Sequence, residues 1–124
     1  ARAGAARTVA ADLDPFCEAA VRLNAALNGV AVEFRAGDAI GDPLEGFDVL
    51  VAGDVFYERP LAEGSLAWFR AAAARGVRVL VGDPGRLYSP PEGLRVVGTY
   101  DVPTTVAIED RDVKRTRVLE VGAP

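Results

Sequence analysis

The chain has 124 residues, 50% of them hydrophobic and 26% charged, and carries a formal net charge of −4. That is the composition of one globular domain with a core, and it excludes a disordered chain and a general nucleic-acid binder. No apolar run is long enough to span a bilayer, and nothing resembles a signal peptide, so no membrane partner is expected. Histidine is absent, which removes histidine triads, histidine metal sites and an imidazole base; no metal is expected. Cys17 is the only cysteine. It excludes an internal disulfide and fits a reducing, cytoplasmic setting.

Residues 1–6 are rich in Ala and Arg, lack an initiating methionine, and read as the tail of a helix. Residues 8–11 read as a short buried strand ending at Asp12. Asp14 is a good N-cap and Pro15 a good first helical residue. The helix they open has an apolar stripe of Phe16, Ala20, Leu23 and Leu27 and stops at Asn28-Gly29. Residues 30–34 form a second strand, and the loop 36–46 carries Asp38 and Asp42. Residues 48–57, Asp-Val-Leu-Val-Ala-Gly-Asp-Val-Phe-Tyr, run apolar up to Gly53-Asp54. Such a run fits a strand buried on both faces of a parallel sheet.

Pro60 begins a helix to about Arg75, with Ala62, Leu66, Phe69 and Ala73 on one face and Gly76 as its stop. Residues 77–81 are the next strand, followed by the turn cluster Gly82-Asp83-Pro84-Gly85-Arg86 and the loop 89–93. Residues 94–102 and 116–121 read as a closing strand pair joined through the charged residues 109–112. Helices alternating with apolar strands imply an α/β fold with a mostly parallel sheet, and the late strand pair implies an antiparallel edge strand. Ligands in such sheets bind beyond the carboxyl ends of the strands. Gly53 there lets a ligand approach the backbone, Asp54 adds a charge, and Phe56 and Tyr57 add aromatic surface, Phe56 being the one expected in the core.

Five segments carry a resemblance to a known family, three of them specific to it. The segments 12–15 (Asp-Leu-Asp-Pro) and 23–29 (Leu-Asn-Ala-Ala-Leu-Asn-Gly) resemble the second strand and following helix of protein lysine methyltransferases. The segments 53–57 (Gly-Asp-Val-Phe-Tyr), 82–86 (Gly-Asp-Pro-Gly-Arg) and 100–105 (Tyr-Asp-Val-Pro-Thr-Thr) are more specific. Together they resemble the electron transfer flavoprotein beta-subunit lysine methyltransferases, which are class I S-adenosylmethionine-dependent enzymes similar to those that methylate ribosomal-protein lysines. The resemblance implies a Rossmann-like methyltransferase sheet, S-adenosyl-L-methionine as cofactor, and a protein substrate presenting a lysine, on the electron transfer flavoprotein beta subunit or a ribosomal protein. It covers the C-terminal part of that domain. The family's first strand, its glycine-rich cofactor loop and most of its first helix have no counterpart, so residues 1–124 are expected to form a partial methyltransferase domain. The missing strand would lie beside the strands of Val9 and Val49, and edges left unpaired there would invite association.

The resemblance also implies roles. Asp12 would accept bonds from the ribose hydroxyls, since a carboxylate offers two acceptor oxygens. Asp38 would accept from the adenine amino group, with Ala39 and Ile40 on the ring face, and Gly53 would admit the cofactor. Asp54 and Glu58 would attract the lysine ammonium and take its proton, while Tyr57 confines the chain. A carboxylate beside the sulfonium would stabilise the ground state more than the dispersed charge of the transition state, so Asp54 is assigned to the lysine. Asp83 and Arg86 stand either on the substrate side or within the turn. Asp14 is expected to be only a helix cap, Trp68 a core residue, Cys17 buried structure and Lys114 solvated. Two other readings stay open: a Rossmann-type dinucleotide-binding domain with Asp12 on the ribose, and a non-catalytic fragment that packs against a partner.

Overall fold

The computed structural model describes residues 1–90, 92–104 and 113–122. The chain divides into two compact units, residues 1–40 and 41–124. Among the described residues no helix is long and apolar enough to cross a membrane.

The first unit holds β1 (Val9–Asp12), α1 (Phe16–Leu27) and β2 (Glu33–Ala36). The two strands are parallel, with Asp12 opposite Ala36. Asp14 acts as the expected cap: its Oδ1 accepts the Phe16 N–H at 2.9 Å, which satisfies one of the helix's orphan donors. Gly29, at φ 61°, turns the chain out of the helix. The face that α1 shows the strands is not the expected one. Cys17, Val21 and Ala25 are half-buried, and they share a cleft of about 470 Å³ with Ala10, Val32 and Phe34. Phe16 is 84% exposed, and Leu23 and Leu27 are exposed with it. The spacing was read correctly, but the helix is rotated about its axis. The Asp14 cap fixes where the helix begins, and the row that meets the strands is that of Cys17, Val21 and Ala25.

The second unit holds β3 (Val49–Gly53), α2 (Arg59–Ala74), β4 (Arg78–Asp83), β5 (Leu94–Pro103) and β6 (Val113–Val121). Its sheet runs β3-β4-β6-β5. β3 and β4 are parallel, and β6 is antiparallel to both of its neighbours, which makes β5 an antiparallel-paired edge strand. The expected charged connection at 109–112 and Thr105 of the family segment lie outside the described residues. Phe56, Phe69, Ala72, Val79, Val81, Leu119 and Val121 form the core. α2 buries Ala62, Ser65, Phe69 and Ala72, close to the expected face. Removing a phenylalanine such as Phe69 from water stabilises the unit by roughly 1.5–3 kcal/mol. Trp68 packs against this core and donates its indole N–H to the Asp42 carbonyl at 2.8 Å.

β3 departs from the expectation of a strand buried on both faces. Leu50 and Ala52 pack on the core, but Val51 is 72% exposed and Val49 is exposed too. β3 is an edge strand within its sheet, and the core of its unit covers only the Leu50 face.

Candidate active site

Each unit brings its predicted acids to the carboxyl end of its own parallel strand pair. In the first unit, Asp12 ends β1. Its backbone carbonyl accepts the Gly37 N–H at 3.0 Å, which ties the two strand ends together. Its Oδ1 accepts the Asp14 N–H at 2.9 Å. Asp38 repeats the device one turn beyond β2, where its Oδ1 accepts the Ile40 N–H at 2.9 Å. Both side chains are exposed, and each is bent back on its own loop through one oxygen. Ala39 is half-buried between Asp38 and the partly exposed Ile40. Burial, and the neighbouring Asp12 after it, push the Cys17 thiol up from its ordinary range, so it is a packed thiol rather than a reactive one.

In the second unit, Gly53 lies opposite Gly82, which brings Asp54 and Asp83 to the same edge. A Cβ built on Gly53 would meet no atom within 4 Å, so nothing in the chain's own packing requires a glycine there. Asp54 has φ 54°, the left-handed region that favours glycine and that aspartate enters more readily than most other residues. Two ties hold it there. Its N–H donates to the Gly82 carbonyl at 2.8 Å. Its carboxylate accepts both Nε and Nη2 of Arg86 at 2.6 Å each, the fork geometry of a strong charge-assisted pair. The Arg86 guanidinium holds the Asp54 carboxyl below its ordinary range, and Lys114 adds to this. Lys114, expected to be solvated, is half-buried.

Asp83 is 1% exposed. Its Oδ1 accepts the N–H groups of Gly85 and Arg86, both at 3.0 Å, and its Oδ2 accepts Ser89 Oγ at 2.9 Å and Arg117 Nη2 at 2.7 Å. Burial pushes this carboxyl up, but the Arg86 N–H, Arg117, Ser89 and the Gly85 N–H outweigh it and leave the group below its usual range. With both oxygens enclosed, Asp83 sits where the turn alternative puts it.

Phe56 is in the core, as expected, and Tyr57 is 54% exposed. Glu58 is exposed at the N-cap of α2, where its carbonyl, not its carboxylate, takes the Ala62 N–H at 2.9 Å. The exposed groups of the rim are thus Tyr57 and Glu58, while Asp54 is engaged. The sequence reading puts Ser89 only in a loop and gives neither Ser89 nor Arg117 a role at the site. Arg117 reaches Asp83 through the β4–β6 register, which no local pattern encodes, whereas Ser89 lies six positions after Asp83 and closes the same turn.

This architecture has known counterparts. The structure called precorrin 8W decarboxylase from Methanobacterium thermoautotrophicum superimposes with a TM-score of 0.60 at 17% identity, over 94% of this chain and 70% of that one. An S-adenosylmethionine-dependent methyltransferase from Clostridium acetobutylicum gives 0.53 at 10% identity, over 94% and 76%. The chain has the class I methyltransferase fold. Its sequence is similar to the electron transfer flavoprotein beta subunit lysine methyltransferase of Danio rerio, 35% identical over 94 residues, covering 74% of this chain and 36% of the relative. With the Rattus norvegicus protein of that name it shares 40% over 85 residues, 67% of this chain and 33% of the relative. The chain spans about a third of the length of these curated relatives. No protein-family profile matches it. The resemblance read from the segments around Asp54 and Asp83 is thereby borne out.

Each unit by itself carries a feature whose chemistry suits part of an adenosyl cofactor. Asp12 and Asp38 are exposed, acceptor-only carboxylates, the chemistry that a ribose diol and an adenine amino group require. The open side of Gly53 has no neighbour to displace.

Proposed function

We propose that the chain is part of an S-adenosylmethionine-dependent protein N-lysine methyltransferase whose substrate is the electron transfer flavoprotein beta subunit. The observation that supports this reading best is 34–40% identity to five relatives named for that activity, joined to a class I fold. The cytoplasm is the compartment that suits the single thiol. On this reading Asp12 holds the ribose, Asp38 the adenine amino group with Ala39 beside the ring, and Gly53 leaves the backbone open to the cofactor.

S-adenosylmethionine supplies a methyl group on a sulfonium. The chain's own work is then to bring a neutral amine in line, an alignment effect that can reach ~7–11 kcal/mol. Tyr57 offers an exposed ring beside which a lysine stem can lie. Glu58 carries a carboxylate with no hydrogen-bond partner among the described residues, and it takes the ammonium's proton. Asp54 is the less suitable acceptor, because Arg86 occupies both of its oxygens. Asp83 and Arg86 act from within the turn.

The test is methyl transfer to the purified beta subunit, read by peptide mass spectrometry, with ribosomal protein as a second substrate and calorimetry with S-adenosylhomocysteine alongside. Methylation confined to lysine is the expected result. Binding of a dinucleotide in place of S-adenosylhomocysteine would overturn the reading, and methylation of ribosomal protein alone would move the substrate.

A further inference from the structure

We infer that Arg86 is the positioning residue of the rim: by gripping Asp54 in its left-handed conformation it sets how Tyr57 and Glu58 are presented. The inference rests on the methyltransferase reading only for what those two side chains meet.

A pair as exposed as Asp54 and Arg86 is ordinarily worth little, and three observations set this one apart. The first is the backbone. Asp54 is one of two non-glycine residues with positive φ among those described, at 54°, a conformation that aspartate enters more readily than most residues and that here is held from both sides. Both ends of Asp54 are tied to the β4 side, through its N–H to Gly82 and its carboxylate to Arg86.

The second is that Arg86 is itself fixed before it reaches Asp54. Its N–H is bound by Asp83, which is enclosed and held in turn by Ser89 and Arg117. The guanidinium therefore starts from a rigid turn and loses less freedom on pairing. The third is a second tie between the same two loops. The Tyr88 N–H donates to the Phe56 carbonyl at 3.2 Å, and the Arg59 guanidinium lies over the Tyr88 ring, 5.5 Å from its centroid. The rim is held at Asp54 by a fork and at Phe56 by a backbone bond and a buried ring. Tyr57 and Glu58 come directly after these two anchors, and α2 begins at the next residue.

Lysine keeps the charge of arginine but not the fork, so Arg86→Lys separates grip from charge. In the full chain this variant is expected to melt like the parent, to speed amide exchange of residues 54–58 by ~10-fold, and to lower kcat for lysine methylation by a similar factor, the size of one lost charge-assisted bond. KM for S-adenosylmethionine should not move. Arg86→Ala should recover kcat when millimolar guanidinium is added, and ammonium should not substitute. Parent-like exchange and kcat in Arg86→Lys overturn the inference, as does global unfolding of that variant, which would make the residue a general fold determinant. If the parent methylates no lysine, the methyltransferase reading falls by itself, and exchange at 54–58 alone then decides the role of Arg86.

Discussion

Asp12 and Asp38 in the first unit, and Asp83 in the second, all bend a carboxylate oxygen back onto an N–H two residues ahead. The local device is the same, since aspartate closes such turns readily. What surrounds it differs. Asp83 is enclosed and meets Arg117 and Ser89 through its other oxygen, above a core built on Phe56, Phe69, Val79 and Val81. Asp12 and Asp38 remain exposed, and no hydrophobic residue of the first unit is buried. A strand-end acid with a free oxygen is equipped to bind; one that is fully enclosed is equipped to hold other groups in place. The difference lies in packing and register, so inspection of each turn alone would not reveal it.

The comparison is broken most strongly at the core of the second unit. Phe69 is 1% exposed, and Phe69→Ala should cost ~3–5 kcal/mol in denaturant unfolding, the lost transfer energy plus a cavity that α2 and the sheet cannot close. A cost below about 1 kcal/mol would mean that the unit is not close-packed.

The next effect sharpens the contrast between the acids. Asp83→Asn removes the charge that faces Arg117 and should cost ~1–3 kcal/mol, less than for a fully buried pair because Arg117 is partly in water. The pH dependence has a definite sign. Asp83 and Asp54 both have folded-state pKa values below their ordinary range, so the unfolded chain binds more protons than the folded one as acid is added. Their contribution is whole above the unfolded value of about 3.9 and is lost as pH falls through the folded values. Unfolding midpoints followed from neutral pH downward should hold steady and then drop below about pH 4, and Asp83→Asn should flatten that drop.

Where the sequence was legible, punctuation made it so. Asp14-Pro15, Asn28-Gly29, Gly76 and the Gly82–Arg86 cluster bound elements through local backbone chemistry, and the strands and helices begin and end within a few residues of them. Phe56 in the core with Tyr57 outside was also readable, from the larger apolar character of phenylalanine and the polar tip of tyrosine. Two properties were not local. Periodicity finds a stripe but not what the stripe faces, so the Phe16–Leu27 row was assigned to the sheet when the Cys17–Ala25 row lies there. The grip of Arg86 on Asp54 spans 32 positions. It follows from the pairing of Gly53 with Gly82, which no pattern within either segment encodes.

The smallest expected effect tests that misread face. If the row of Phe16, Leu23 and Leu27 lies in solvent, Leu23→Lys should change stability by no more than about 0.5 kcal/mol, the range of surface substitutions away from special features. A lysine also has good helix propensity, so the substitution offers little local penalty to confuse the result. Val21 is the control on the same helix. It is half-buried against the strands, and Val21→Lys should be clearly the more damaging, since it would force a charge toward Ala10 and Phe34 without a partner. Denaturant midpoints of the two variants side by side give the answer. Equal losses would mean that both rows of α1 are covered in solution, and the exposed row would then belong to an interface rather than to the surface.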